Sequence, residues 1–169
     1  MQERYWNYLK EKRIYVYYLD AEAECSYIVD KAVKIYCALS SSTSIAAWVV
    51  WSQYSFVWAA LIAVSHVITA VYDLLPFSKK LKTAAPFIKE LKQLCNRIEH
   101  DWFQVSSGKL TEEEINDLLY HYEEEFIGLE NKYQKKELSL GSKRFMKKAI
   151  EKTDIYLERF CPTENKETK

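Results

Sequence analysis

The side chains best suited to chemistry in this chain of 169 residues are three histidines, four cysteines and a serine-rich run. His66, His100 and His121 fall on three separate segments and make no HExxH, so the pairing that holds a catalytic zinc is missing. Cys25, Cys37, Cys95 and Cys161 form no CxxC pair, which points to neither a zinc site nor a disulfide framework. The acidic run Glu112 to Glu114 is explained as a helix start. None of the three glycines follows a strand-like run, so no loop is built to cradle a phosphate, and no nucleophile stands beside a base. The expectation is a protein that is not an enzyme, takes no cofactor or metal, and has no nucleic-acid partner.

A different chemistry is written into the middle of the chain. From Ile35 to Tyr72 there is no Asp, Glu, Lys or Arg. Near the end of this stretch His66, Thr69 and Asp73 are spaced three and four apart and so share one helix face. Earlier, Cys37, Ser40 and Ser44 share a face, with Ser41 beside them. Folding the stretch about Gln53-Tyr54 sets His66 opposite Ser41 and Asp73 opposite Lys34. A Lys34–Asp73 ion pair at a membrane boundary would neutralise two charges that are expensive there singly. Two readings of the hydroxyl strip stay open. Ser40, Ser41, Ser44, His66 and Thr69 could glue helices together by small-residue packing and interhelical hydrogen bonds, or line a water-filled path. In a path, His66 would confer sensitivity to pH.

These residues need elements to hold them. The mean hydropathy is negative and 24 Lys+Arg balance 24 Asp+Glu, yet every charge lies outside the central stretch. A bilayer-spanning helix needs roughly 20 mainly apolar residues, so the stretch fits two spans, Ala32–Trp51 and Ser55–Leu75, joined by an uncharged turn. Trp48, Trp51, Tyr54 and Trp58 would mark one water–lipid boundary, and Tyr36, Tyr72 and Phe77 the other. A long buried hairpin inside a soluble bundle is the alternative. Lys31 and Lys34 precede the first span, Lys79, Lys80 and Lys82 follow the second, and the turn has no basic residue. The positive-inside rule then places both ends in the cytoplasm of an inner-membrane protein. The charged first 30 residues do not read as a signal peptide.

The flanks read as helices. Residues 1–75 contain neither Gly nor Pro, so the tyrosine-rich start, 1–31, can run as one helix into the first span, its rings covering other helices or lying in the interface. Pro76 breaks the chain after the second span, and Pro86 is expected in the first turn of the next helix. There Phe87, Leu91, Leu94, Ile98, Trp102 and Val105 make one apolar stripe that Ser106-Ser107-Gly108 ends. Thr111 and Glu114 form a capping box, after which Ile115, Leu118, Leu119, Tyr122, Phe126, Leu129 and Tyr133 repeat at helical spacing. The two stripes should pack as an antiparallel cytoplasmic hairpin. Ser142 is expected to cap a last basic helix carrying Lys143, Arg144, Lys147 and Lys148, and 161–169 to fray. The whole is an all-α chain: an amphipathic helix over 1–31, a transmembrane hairpin over 32–75, a helical bundle over 76–160 and a tail.

This layout resembles the SLATT group of bacterial two-transmembrane effectors. The resemblance rests on Tyr5 to Tyr36, the hairpin from Ile35 to Leu75, and "IEHDWFQVSSGKLTEEEINDLLYHYEEE", covering about residues 1–135. It implies a membrane effector of an antiphage system, a homo-oligomer that permeabilises the inner membrane when its cytoplasmic helices sense a signal. A cyclic nucleotide or a signalling enzyme is then the implied partner, with Lys79, Lys80, Lys82, Lys89 and Lys92 as contacts for a nucleotide or for anionic lipid. The competing expectation is a non-conducting anchor or scaffold whose cytoplasmic helices recruit another protein.

Overall fold

The computed structural model describes residues 1–50, 55–72, 77–133 and 142–161, with the backbone alone at 39–50, 55, 58, 69, 71–72 and 77–83. It is all-helical: α1 (Gln2–Val50), α2 (Ser55–Tyr72), α3 (Phe77–Ser106), α4 (Glu112–Lys132) and α5 (Lys143–Phe160), with no strand among the described residues. With no glycine or proline to interrupt it, α1 does continue from the tyrosine-rich start into the first expected span. Two compact units divide the chain. One, the bundle unit, joins 1–23 with 82–169; the other, the apolar unit, is 24–81. The first 23 residues thus belong to the bundle, and the division falls at 23/24 rather than at 31/32.

In the bundle unit α1 and α3 run antiparallel. Tyr5 Oη donates to the Ile98 carbonyl at 3.0 Å near one end, and Lys92 Nζ donates to Asp20 at 2.9 Å near the other. All six residues of the α3 stripe are buried, which is what a stripe of that width predicts when neighbours cover it. On one side α4 packs antiparallel to α3, with Tyr122 Oη donating to Asp101 at 2.6 Å and Lys132 Nζ to Glu90 at 2.8 Å. Its Ile115, Leu119, Tyr122 and Phe126 are buried, and Leu118, Leu129 and Tyr133 are partly so. On the other side α5 inserts Ala149, Thr153 and Leu157. The Thr153 hydroxyl, fully buried, donates back to the Ala149 carbonyl at 2.8 Å and so needs no outside partner.

The turn between α3 and α4 follows from a few residues. Gly108 has φ 66°, the left-handed conformation that glycine adopts without a Cβ clash. It lets the Gly108 amide reach the Val105 carbonyl at 3.2 Å and the Lys109 amide reach Gln104 at 3.3 Å, the paired bonds of a Schellman end. At the start of α4 the Glu114 amide donates to the Thr111 hydroxyl and the Thr111 amide donates to the Glu114 carboxylate, so both halves of the capping box are made.

Other expectations are corrected. Pro86 is not in a first turn: α3 begins at Phe77 and carries Pro86 in its interior. The ring is exposed, so the helix forgoes one backbone donor without a steric clash in the core. Ser142 stands at the N-cap of α5 but its hydroxyl makes no cap bond; instead its amide donates to Tyr18 Oη at 3.3 Å. The turn at 51–54, the end of the second expected span at 73–75 and the tail at 162–169 lie outside the described residues. Among the described residues no helix is long and apolar enough to cross a membrane. Most side chains of the first expected span are not among them.

Replacing Thr111 by Ala is expected to destabilise the bundle by about 1 kcal/mol, as N-cap losses typically do. Bonding to the Thr111 amide, and then to its hydroxyl, holds the Glu114 carboxyl below its ordinary 4.5. A depressed acid contributes stability above its unfolded value and loses it as pH falls through the folded one. The gap between wild type and Thr111→Ala in urea melts should therefore be full at neutral pH and shrink below about pH 4.5.

Candidate functional site

Two sets of side chains are candidates. The first is the apolar unit. Every described side chain of α2 is exposed except Ile62, Ser65 and Ile68, which are half-buried and spaced three apart. That narrow line is the only covered side among the described residues of a helix that is apolar nearly all round. Phe56 is 85% exposed and Val67 63%. α1 touches α2 through Tyr36, whose Oη donates to the Leu61 carbonyl at 3.4 Å. A fold about Gln53-Tyr54 would instead have set Tyr36 level with residue 71. The register is slipped by about ten residues, or ~15 Å at 1.5 Å rise, further than a tyrosine reaches.

The expected polar residues fare unevenly. His66 is exposed and lies off the covered line, and the described contacts do not bring it onto a serine of the first helix. Lys34 Nζ is 2.8 Å from Asp30, one turn back on its own helix, and Asp30 is nearly buried. Asp73, the partner expected for Lys34, lies outside the described residues, as do Trp51 and Tyr54. Ser40, Ser41, Ser44 and Trp48 are carried on α1, Trp58 and Thr69 on α2, and Lys79, Lys80 and Lys82 on α3, their side chains all outside the described set. Sequence reasoning passed over Ser65. Its hydroxyl donates to the Ile62 carbonyl at 2.8 Å, which satisfies it in apolar surroundings.

The second set is a pair of cations inside the bundle. Lys12 and Arg13 are consecutive on α1 and both buried, 5% and 6% exposed. Lys12 turns to α4, where Nζ lies 3.7 Å from the centre of the Phe126 ring and 3.5 Å from Glu123. Arg13 turns the other way and forms an ion pair with Glu99 on α3, its guanidinium over the Tyr156 ring of α5 at 4.6 Å. Glu99 also accepts the Tyr156 hydroxyl at 3.0 Å and the Cys161 thiol at 3.9 Å. Burial pushes the Cys95 thiol up to about 11, against the opposing pull of Arg13 and Lys12. Burial likewise raises the Cys161 thiol. Neither is therefore an activated nucleophile.

A shallow groove of about 400 Å³ lies between α1 and α4, with Arg4, Asn7, Tyr8, Glu11, Tyr120 and Glu123 along its walls. Its charges are largely spoken for: Arg4 donates to Asn116 at 3.1 Å, and Glu11 and Glu123 both lie near Lys12. The nearest approach to a catalytic constellation is His100, Asp101 and Tyr122. His100 Nδ1 is 3.0 Å from Asp101, and burial, then the Asp101 hydrogen bond, push the Tyr122 phenol far above its usual range. Tyr122 is thus a neutral donor to a carboxylate and not a base. Lys92, expected to meet a nucleotide or lipid, is paired with Asp20. Among the described residues no three acid, histidine or cysteine side chains gather as metal ligands would.

Comparison with protein-family models, with curated proteins and with solved structures finds no match to this chain.

Removing one member of a buried ion pair strands the other charge, at a cost of about 3–5 kcal/mol, whereas replacing both by apolar groups is often close to neutral. Arg13→Met and Glu99→Leu should each lower the urea midpoint of the helical signal strongly. The double variant should fall well short of their sum; strict additivity would show that the pair is not coupled.

Proposed function

We propose that this chain is a membrane effector: a hairpin over 32–75 holds it in the bacterial inner membrane, copies associate, and a signal received by the cytoplasmic bundle opens a path through the lipid. One observation carries the reading, the exposed apolar surface of α2. Phe56, Val57, Leu61, Val64 and Val67 are all exposed, and moving each out of water is worth about 1.5–3 kcal/mol. Their sum, on the order of 10 kcal/mol, rivals the whole stability of an ordinary domain. Lipid or a partner has to cover such a surface. The uncharged stretch from Ile35 to Tyr72, with basic residues at both ends and none in the turn, favours lipid. The resemblance in layout to two-span antiphage effectors supplies the biological setting.

The bundle is suited to act as the receiver. Its buried cations each have discrete partners on separate helices, so a ligand that prefers one arrangement of those helices can shift between packed states. Opening would then depend on polar groups in the spans, of which Ser40, Ser44 and His66 are the leading choices.

Cells producing the full chain test this directly. The protein should stay with the membrane after carbonate washing, and a Gln53→Cys variant, with Cys25 and Cys37 changed to Ser, should react with an impermeant maleimide from outside. On triggering, a potential-sensitive dye should report depolarisation. Changing Ser40, Ser44 and His66 to Leu should remove depolarisation and leave insertion intact. Release by carbonate would sink the reading, and full insertion with an intact potential under activating conditions would assign a non-conducting anchor instead.

A further inference from the structure

The outer face of α5 combines exposed apolar side chains with charges that have no ion-pair partner among the described residues. Ile150 is 40% exposed and Ile155 61%. Lys143, Lys147, Glu151 and Glu158 take part in no ion pair among the described residues. They line a shallow groove of about 850 Å³ along the helix. Two neighbouring rows at four-residue spacing make up this face. One row reads Lys143, Lys147, Glu151, Ile155; the other reads Met146, Ile150, Asp154, Glu158.

We propose that this face binds a second copy of the same chain, with the two α5 helices antiparallel about a two-fold axis that passes between Ile150 and Glu151. Turned end for end, the first half of this face on one copy lies level with the second half on its mate. Lys143 then meets Glu158, and Lys147 meets Asp154. Each contact occurs twice by symmetry, as an isologous interface requires. The match arises because on this face the basic residues sit in the first half and the acidic ones in the second. A parallel pair would place Lys143 and Lys147 against their own copies, and like charges in register are repulsive. An anionic lipid surface fits less well, because Glu151, Asp154 and Glu158 share the face with the lysines. Asp154 already receives Lys10 of its own chain at Oδ1, 2.7 Å away, and has its second oxygen for the mate. Ala149, Thr153 and Leu157 on the inner side are held in the core, so the rows are presented on a fixed helix.

This pairing supplies a contact for the association invoked above, but it does not require the chain to cross lipid. Full-length protein carrying Cys25→Ser, Cys37→Ser and Ile150→Cys, oxidised in intact cells, should form a covalent dimer. The yield should exceed by about tenfold, the factor for ~1.4 kcal/mol, that of a control with Ile127→Cys, an exposed position on α4. Lys143→Glu and Glu158→Lys should each reduce the Ile150→Cys cross-link, and the two together should restore it. No excess over the Ile127→Cys control would overturn the proposal, as would a double variant no better than the singles. Carbonate washing of the same cells keeps the two ideas apart. A chain that resists washing but fails to cross-link refutes the α5 pairing alone, and one that washes off yet cross-links refutes the membrane reading alone.

Discussion

Two adjacent cations inside a helical core constrain the bundle more than any other feature. Neighbouring residues of a helix point about 100° apart, so Lys12 and Arg13 cannot share one counter-charge, and α1 must be covered on two sides. Glu123 and the Phe126 ring come from α4, Glu99 from α3 and the Tyr156 ring from α5. A helix placed elsewhere would leave a charge buried and alone, which is far worse than the modest net gain of the pair when made. The cations therefore select one packing among the many that an apolar core would tolerate. Tyr5 obeys the same accounting of polar groups, since its hydroxyl, with the ring fully buried, donates to the carbonyl of Ile98.

The apolar unit poses the opposite demand. In the bundle, charges require neighbours; along α2, apolar side chains do. Its covered line of Ile62, Ser65 and Ile68 is too narrow to hide a helix that is apolar nearly all round. Asp30 shows how the chain handles the change of environment: it is nearly buried, and Lys34 neutralises it one turn before the charge-free stretch begins. Beyond that point the chain has no Asp, Glu, Lys or Arg up to Tyr72.

The parts of the fold that were legible in the sequence are those set by local rules. The α3 stripe is buried in full because spacing of three and four decides which side faces the core. Thr111, Glu114 and Gly108 acted as expected because caps and left-handed turns involve residues a few positions apart. The Arg13–Glu99 pair was invisible: in sequence, Lys12-Arg13 looks like a solvated patch, and its counter-charges lie far along the chain. The α1–α2 register was missed for a different reason. A helix apolar on every side has no phase, so sliding it changes little, and among the described residues the Tyr36–Leu61 contact reveals where it stands. Pro86 misled because its preference for a first turn is statistical, whereas an exposed ring can be tolerated inside a helix.

The two units bear on each other through concentration. Exposed ion pairs contribute about 0–1 kcal/mol each, and the α5 face offers few large apolar side chains beside them. Two copies diffusing freely would gain little from it, because association must first overcome the loss of translational and rotational freedom. Confinement changes that balance, since a second contact between molecules already held together draws on an effective concentration that can reach millimolar. A chain kept in a membrane by the surface of α2 would therefore fill an α5 contact more completely than free copies do. Such a contact would be sensitive to how many copies share the membrane, which is the property that a protein assembling only on demand requires.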